Sequence, residues 1–208
     1  MLSPAKFWKL GRLAILALVI LMTRGLSISH AKDFILTPTA DARVSANNTD
    51  TNYGTDKELV VALGGFMYPY TDSSYLKFDL SVIPASYRII GGTLSLYCWN
   101  APPGQVALRP VANNTWSEMG ITWNNQPAFG NPITSISVRT GWNSWTVPKA
   151  NLPATGLVSF IIASGISYGG PNSCSFYSKE YGSYPPELSV TAVKKMAPAA
   201  INLLLLRN

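Results

Sequence analysis

Two aromatic residues stand two apart in Tyr97-Cys98-Trp99, and a ring and a cation stand two apart in Tyr177-Ser178-Lys179. On a β-strand, residues i and i+2 share a face, so each pair projects from one side of a sheet. Arg109 holds the matching outward position in the alternating run Val106 to Val111. Flat rings stack on the C–H face of a pyranose, and a few polar groups fix its hydroxyls. A Trp exposed on a strand is costly unless a ligand covers it. Arg109 and Lys179 beside such rings would suit a uronate polymer, or would hold a cation over a ring. Tyr97, Trp99, Arg109, Tyr177 and Lys179 are therefore the candidate ligand-binding set, with Tyr68 and Tyr70 on a loop that could add to its rim.

Other chemistry is restricted by composition. The only histidine is His30. It precedes the expected cleavage point of an N-terminal signal, so the mature chain would have no Ser-His-Asp triad, Cys-His pair or His-ligated metal. The remaining titratable groups are ten carboxylates, a few Lys and Arg, and Tyr. A glycosidase needs two carboxylates at a set separation. Glu118, Glu180 and Asp79 could be nominated, but nothing in their spacing singles them out, and the expectation is no catalytic activity. Asp41, Asn52, Asp79 and Glu187 could converge from distant strands on a structural calcium ion, a hard cation that takes oxygen ligands. Trp116, Trp123, Trp142 and Trp145 are expected to be structural, since a buried indole N–H needs an acceptor and the Asn- and Pro-bearing segment around Trp116 and Trp123 offers several.

The elements that would carry these residues read as strands. No stretch between 32 and 193 sustains a 3.6-residue apolar period. In Tyr75 to Leu80, Leu76, Phe78 and Leu80 oppose Tyr75, Lys77 and Asp79; in Thr93 to Trp99, Leu94, Leu96 and Cys98 oppose Ser95, Tyr97 and Trp99. Glu187 to Ala192 alternates likewise, while Leu59 to Leu63 and Val158 to Ala163 are more continuously apolar, as central strands are. Alternation with one face buried and one wet, broken by Gly-Gly, Pro-Pro-Gly and Asn-Asn turns, predicts an antiparallel, jelly-roll-like β-sandwich in a single domain.

Lys6, Lys9 and Arg12 precede the apolar run Leu13 to Met22, and Ser29-His30-Ala31 offers small residues at a cleavage point. This pattern predicts a signal peptide over 1–31 and an exported protein, the run being too short for a membrane span. Without those residues and the tail from 194, nine basic residues face ten acidic ones. A nearly neutral body excludes a nucleic-acid partner held by phosphate neutralisation. In an oxidising space Cys98 and Cys174 could pair or stay separate thiols. The last segment, 194–208, is a short apolar tail of open role.

Several motifs occur in a telling order: Asp41-Ala42-Arg43-Val44, Asn52-Tyr53-Gly54-Thr55, Tyr75-Leu76-Lys77-Phe78-Asp79-Leu80-Ser81, Trp116-Ser117-Glu118 with Ile121-Thr122-Trp123-Asn124-Asn125-Gln126-Pro127, and Phe176-Tyr177-Ser178-Lys179-Glu180 before Pro185-Pro186-Glu187-Leu188. The set resembles the DNRLRE domain, or disaggregatase-related repeat, classed with carbohydrate-binding module family 96. The resemblance covers about 35 to 193, and its most specific part is Trp116 to Pro127. It implies a β-sandwich that binds polysaccharide, often beside a separate catalytic domain. Where such domains read Ser-Arg-Glu, this chain has Ser178-Lys179-Glu180, which loses a bidentate donor.

The expectation is a secreted sandwich over 32–193 that binds polysaccharide, acidic polymers included, without transforming it. No cofactor beyond the calcium is implied. A structural or adhesive envelope protein and a minimal polysaccharide lyase are the alternatives.

Overall fold

Strands occupy each of the alternating and continuously apolar runs, and further strands lie between and before them. The computed structural model describes residues 30–62, 72–166 and 173–195. Among these, eleven strands run in order: β1 (Ala31–Leu36), β2 (Ala40–Ser45), β3 (Glu58–Ala62), β4 (Asp72–Asp79), β5 (Tyr87–Asn100), β6 (Gln105–Val111), β7 (Thr134–Ser137), β8 (Gly141–Pro148), β9 (Leu157–Ile166), β10 (Ser173–Tyr177) and β11 (Glu187–Lys194). Single 3₁₀ turns occupy Leu80–Val82, Lys149–Asn151 and Lys179–Tyr181. Tyr68, Tyr70, the signal-like N-terminus and most of the tail fall outside the described residues.

Every pairing among these strands is antiparallel, and they make two sheets. The five-stranded sheet has the order β2-β4-β9-β6-β7. The six-stranded sheet is built on β5, which pairs with β8 along one edge and with both β10 and β11 along the other; β3 and β1 lie outside them. Leu94, Leu96 and Cys98 of β5, Trp145 and Val147 of β8, Leu76 and Phe78 of β4 and Phe160 and Ile162 of β9 fill the space between the sheets. The result is the single-domain antiparallel sandwich that the alternation predicts. Cys98 and Cys174 are free thiols in this core, and burial pushes their pKa up to about 11 and about 12.

One expectation about faces fails. Tyr75 and Lys77 alternate as outward residues of β4, yet both are buried. The segment from Trp116 to Pro127 lies over the five-stranded sheet and makes a second core there from Ala42, Val44, Tyr75, Val111, Trp116, Ile121 and Ile161. The covered polar tips find partners. Tyr75 Oη donates to the carbonyl of Pro127 at 2.8 Å and lies 3.0 Å from Gln126 Oε1; Lys77 Nζ donates to the carbonyl of Trp116. Asn52 holds this roof by donating its amide to the carbonyls of Glu118 and Ile121, each at 2.7 Å. Gly54 is required because a Cβ there would lie 2.3 Å from the Glu118 carbonyl oxygen.

Candidate functional site

Among the described residues, none forms such a roof over the aromatic end of the six-stranded sheet's outer face. Tyr97 of β5 lies directly opposite Trp142 of β8, and their rings meet edge to face at 5.7 Å. On the other edge of β5, Phe176 of β10 pairs with Cys98 while Glu187 of β11 pairs with Ser95. The connection between β10 and β11 is thus extruded from a narrow gap along β5. Ser178 Oγ caps the 3₁₀ turn by accepting from Glu180 N, and Gly182 ends it at φ +83°. This loop returns Tyr181 and Tyr184 to the strand rings. Tyr181 stacks on Tyr177 at 3.7 Å. Tyr184 stacks on Tyr97 at 4.5 Å, and Tyr97 and Tyr177 lie nearly parallel at 5.7 Å.

Five rings therefore form one cluster, and three of them are largely open to solvent: Trp142 at 43%, Tyr184 at 50% and Tyr181 at 42%. Tyr97 and Tyr177 are half-buried supports, each flanked by other rings. The hydrogen bond with Tyr181, with burial and the neighbouring rings adding to it, pushes the Tyr177 phenol up to about 12. Trp99 is exposed on the same face of β5, two positions beyond Tyr97. Tyr184 is held at φ +52°, a left-handed conformation that costs a non-glycine residue about 1 kcal/mol. Strain of that kind persists only where the surroundings fix it; here the stacking on Tyr97 does so.

The structure divides the residues expected from sequence. Tyr97, Trp99 and Tyr177 share the outer face of the six-stranded sheet. Arg109 is on β6 of the other sheet, with its guanidinium 5.6 Å from the Phe129 ring and Nη1 donating to the Gly130 carbonyl at 3.3 Å. Lys179 begins the loop but turns away from the rings, its Nζ 2.8 Å from Glu118 Oε1 and also paired with Glu180. Trp142, read from sequence as structural, is instead an exposed member of the cluster. The missed residues are Trp142, Tyr181 and Tyr184. Alternation along β8 places Trp142 opposite the buried Trp145 and could have revealed it; the two tyrosines carry no periodic signal because they are in a loop.

A second cluster lies inside the domain, where β2 meets the roof. Asp41, Glu118 and Glu180 offer carboxylate oxygens within 4.8 Å of one another, and Lys179 supplies the cation among them. Asp41 is 1% exposed. Its backbone N–H donates to Glu118 Oε1 at 2.8 Å and its Oδ2 accepts from Lys179 N at 3.0 Å. Burial raises the Asp41 carboxyl to about 8 despite the Lys179 hydrogen bond. Burial also works against the charge of Glu180, but hydrogen bonds from Lys179 and Asp41 hold it below the usual carboxylate range. Asp41 Oδ1 and Glu180 Oε2 have no other partners, so a proton on Asp41 lets the two carboxyls bond to each other. Of the oxygen set expected to bind calcium, only Asp41 is in this group. The Asn52 amide is spent on the roof, Asp79 Oδ1 accepts from Ser81 N, and Glu187 lies on the outer face of β11.

The sequence matches carbohydrate-binding module family 96 over residues 32–192. A gellan lyase from a Bacillus species is 36% identical over 105 residues, a stretch that spans 48% of this chain but 4% of that much longer protein. A cleaved adhesin domain of Lys-gingipain from Porphyromonas gingivalis covers 81% of this chain and is itself covered to 99%, at 13% identity and a TM-score of 0.27, a likeness too loose to bear on fold or function. The family match takes in both the ring cluster and the carboxylate cluster, and by it the chain belongs to carbohydrate-binding module family 96.

Proposed function

We propose that this protein is an exported, non-catalytic module that binds polysaccharide through the ring cluster. The observation that carries the reading is the exposed set of Trp142, Tyr181 and Tyr184, which no other described segment covers. Contiguous exposed aromatics mark interaction surfaces, and flat faces with few charges suit the C–H side of a pyranose. Tyr97 and Tyr177 hold the exposed rings in place, which limits the entropy lost on binding. Glu58 is directly opposite Tyr177 in the β3–β10 register, and Glu187 is opposite Ser95. Both residues are partly exposed, and their carboxylates could accept hydrogen bonds from sugar hydroxyls.

Two observations support a binding rather than a catalytic role. The converging carboxylates Asp41, Glu118 and Glu180 are tied to Lys179, away from the rings, and the family is one of binding modules. Export rests on the signal-like N-terminus; among the described residues no helix is long and apolar enough to cross a membrane.

The test is retardation of the protein in native gels cast with a panel of neutral polysaccharides, compared with Trp142→Ala and Tyr184→Ala. Retardation by one polymer that both substitutions abolish would support the reading. Retardation unchanged in both variants would place the site elsewhere, and none by any polymer would remove the reading.

A further inference from the structure

At the end of the sandwich opposite the rings, a cleft of about 430 Å³ opens between the start of β5, two of the 3₁₀ turns and the exit of β11. Its lining includes Arg88, Lys149 and Lys195, together with the hydroxyl-bearing Ser81, Tyr87 and Thr155, and no Asp or Glu. The buried Ile83 and Ile89 also line it and give an apolar floor.

Four cations elsewhere in the described residues are engaged. Arg43 and Lys179 are held in ion pairs. Lys77 is bonded to a carbonyl and Arg109 rests by a ring. Around the cleft, Arg88 and Lys195 have no acidic partner, and Lys149 Nζ spends one of its three donors on the Leu152 carbonyl at 2.6 Å. Asp79, two residues before Ser81, caps its turn and does not line the cleft. Three cations from three separate elements thus face one hollow without a counter-charge among the described residues.

We propose that this cleft is a second binding site that takes an oxyanion, namely a carboxylate carried on an acidic polysaccharide. The assignment rests on the glycan-binding reading, and it moves recognition of acidic groups from Arg109 and Lys179, which are engaged elsewhere, to Arg88, Lys149 and Lys195. The floor can meet the C–H face of the sugar that bears the charge. Arg88 and Tyr97 are nine positions apart on β5, or about 30 Å at strand rise. One long chain could therefore contact both ends of the sheet, and affinity for it should grow with chain length as the two contacts act together.

The experiment compares polygalacturonate with its fully methyl-esterified, uncharged form and with inorganic phosphate, measured by calorimetry on the full chain. The wild-type protein should bind polygalacturonate more tightly than the ester, by about tenfold at low salt, with the difference fading as salt screens it. Arg88→Gln with Lys195→Gln, which leaves the Lys149 hydrogen bond intact, should erase that preference while leaving binding of a neutral polymer unchanged. Equal binding of the acid and the ester by the wild type, or a preference that survives the double substitution, would overturn the proposal. Phosphate bound in a cleft-dependent way without polygalacturonate would overturn the polymer assignment and leave a free oxyanion as the ligand. If instead a neutral polymer is bound and lost with Trp142→Ala, the ring site stands whatever the cleft does.

Discussion

Over the outer face of each sheet, a strand tyrosine meets a tryptophan edge to face. Tyr75 meets Trp116 at 5.8 Å and 64° on the outer side of the five-stranded sheet. Tyr97 meets Trp142 at 5.7 Å and 86° on the outer side of the six-stranded sheet. The first pair is sealed. Trp116 Nε1 donates to Ser159 Oγ at 3.1 Å, the Tyr75 hydroxyl is bonded beneath the roof, and burial raises its pKa well above the ordinary phenol value. The second pair is open, and among the described residues further rings join it. The difference lies in the segment that each sheet receives on its outer face. A stretch rich in Asn, Gln and Pro can satisfy its own backbone while covering a sheet, whereas the loop between β10 and β11 brings tyrosines. Covered, the pair stabilises; uncovered, it is available to a ligand.

The largest expected effect would break this contrast if it failed. Trp116→Ala should cost about 3–5 kcal/mol, the range for deleting a large buried aromatic, and lower the thermal midpoint accordingly. Trp142→Ala should leave stability within about 1 kcal/mol while removing glycan retardation. Calorimetric melting of the two variants decides the matter: equal losses of stability would mean that the exposed pair is a packing element after all.

Next in size is the carboxylate cluster that ties the roof to the sandwich. Lys179→Met leaves Asp41, Glu118 and Glu180 without their cation, and removing one partner from a largely buried group costs about 2–3 kcal/mol once its partial exposure is allowed for. Lys179→Arg, which keeps the positive charge, should retain most of that stability. Denaturant midpoints measure both, and a Met variant as stable as the wild type would show the cluster to be dispensable. Neither change should alter glycan binding, since Lys179 turns away from the rings.

Most of the fold was legible in the sequence, but the faces were only half legible. Alternation gives the inward residues of β4, β5 and β11 because it reports the two-residue period of a strand. It cannot report whether an outward face is later covered, so Tyr75 and Lys77 read as wet. Lys179 fails for another reason. It comes two positions after Tyr177, but β10 ends at Tyr177 and the chain enters a 3₁₀ turn, so the strand rule no longer fixes its direction. Arg109 has the strand rule in its favour, yet the rule does not say which of two sheets a strand joins. Tyr181 and Tyr184 reach the cluster only because β10 and β11 share one edge of β5, a non-local fact.

A pH titration sharpens the contrast further, because the roofed side holds a buried acid with a raised pKa. The Asp41 carboxyl titrates at about 8 in the fold against an ordinary 3.8, so the folded state holds this proton more tightly than the unfolded chain does. Its contribution to stability is complete below about pH 4 and is lost as pH rises toward 8. Glu180, shifted downward, acts in the opposite sense but only on the acid side of its ordinary 4.5. Unfolding midpoints should therefore fall between about pH 5 and pH 8, and Asp41→Asn should flatten that slope. A flat wild-type profile, or a slope that survives the substitution, would refute the shared proton.

The smallest effect tests whether the exposed cluster holds its strain for binding. Tyr184→Gly removes a ring from the stack on Tyr97 but also relieves the left-handed backbone at φ +52°. A glycine gains about 1 kcal/mol at such a position, while a lost aromatic pair costs about 0.5–1.5 kcal/mol. The two nearly offset, so the melting temperature should move little. Glycan affinity should still drop several-fold, because Tyr184 is among the most exposed rings and its face is the one a sugar can reach. Tyr184→Phe keeps the ring and the strain, and should bind like the wild type unless the hydroxyl takes part. If the glycine variant binds as well as the parent, the strained tyrosine is an accident of the loop and the site contracts to Trp142 and Tyr181.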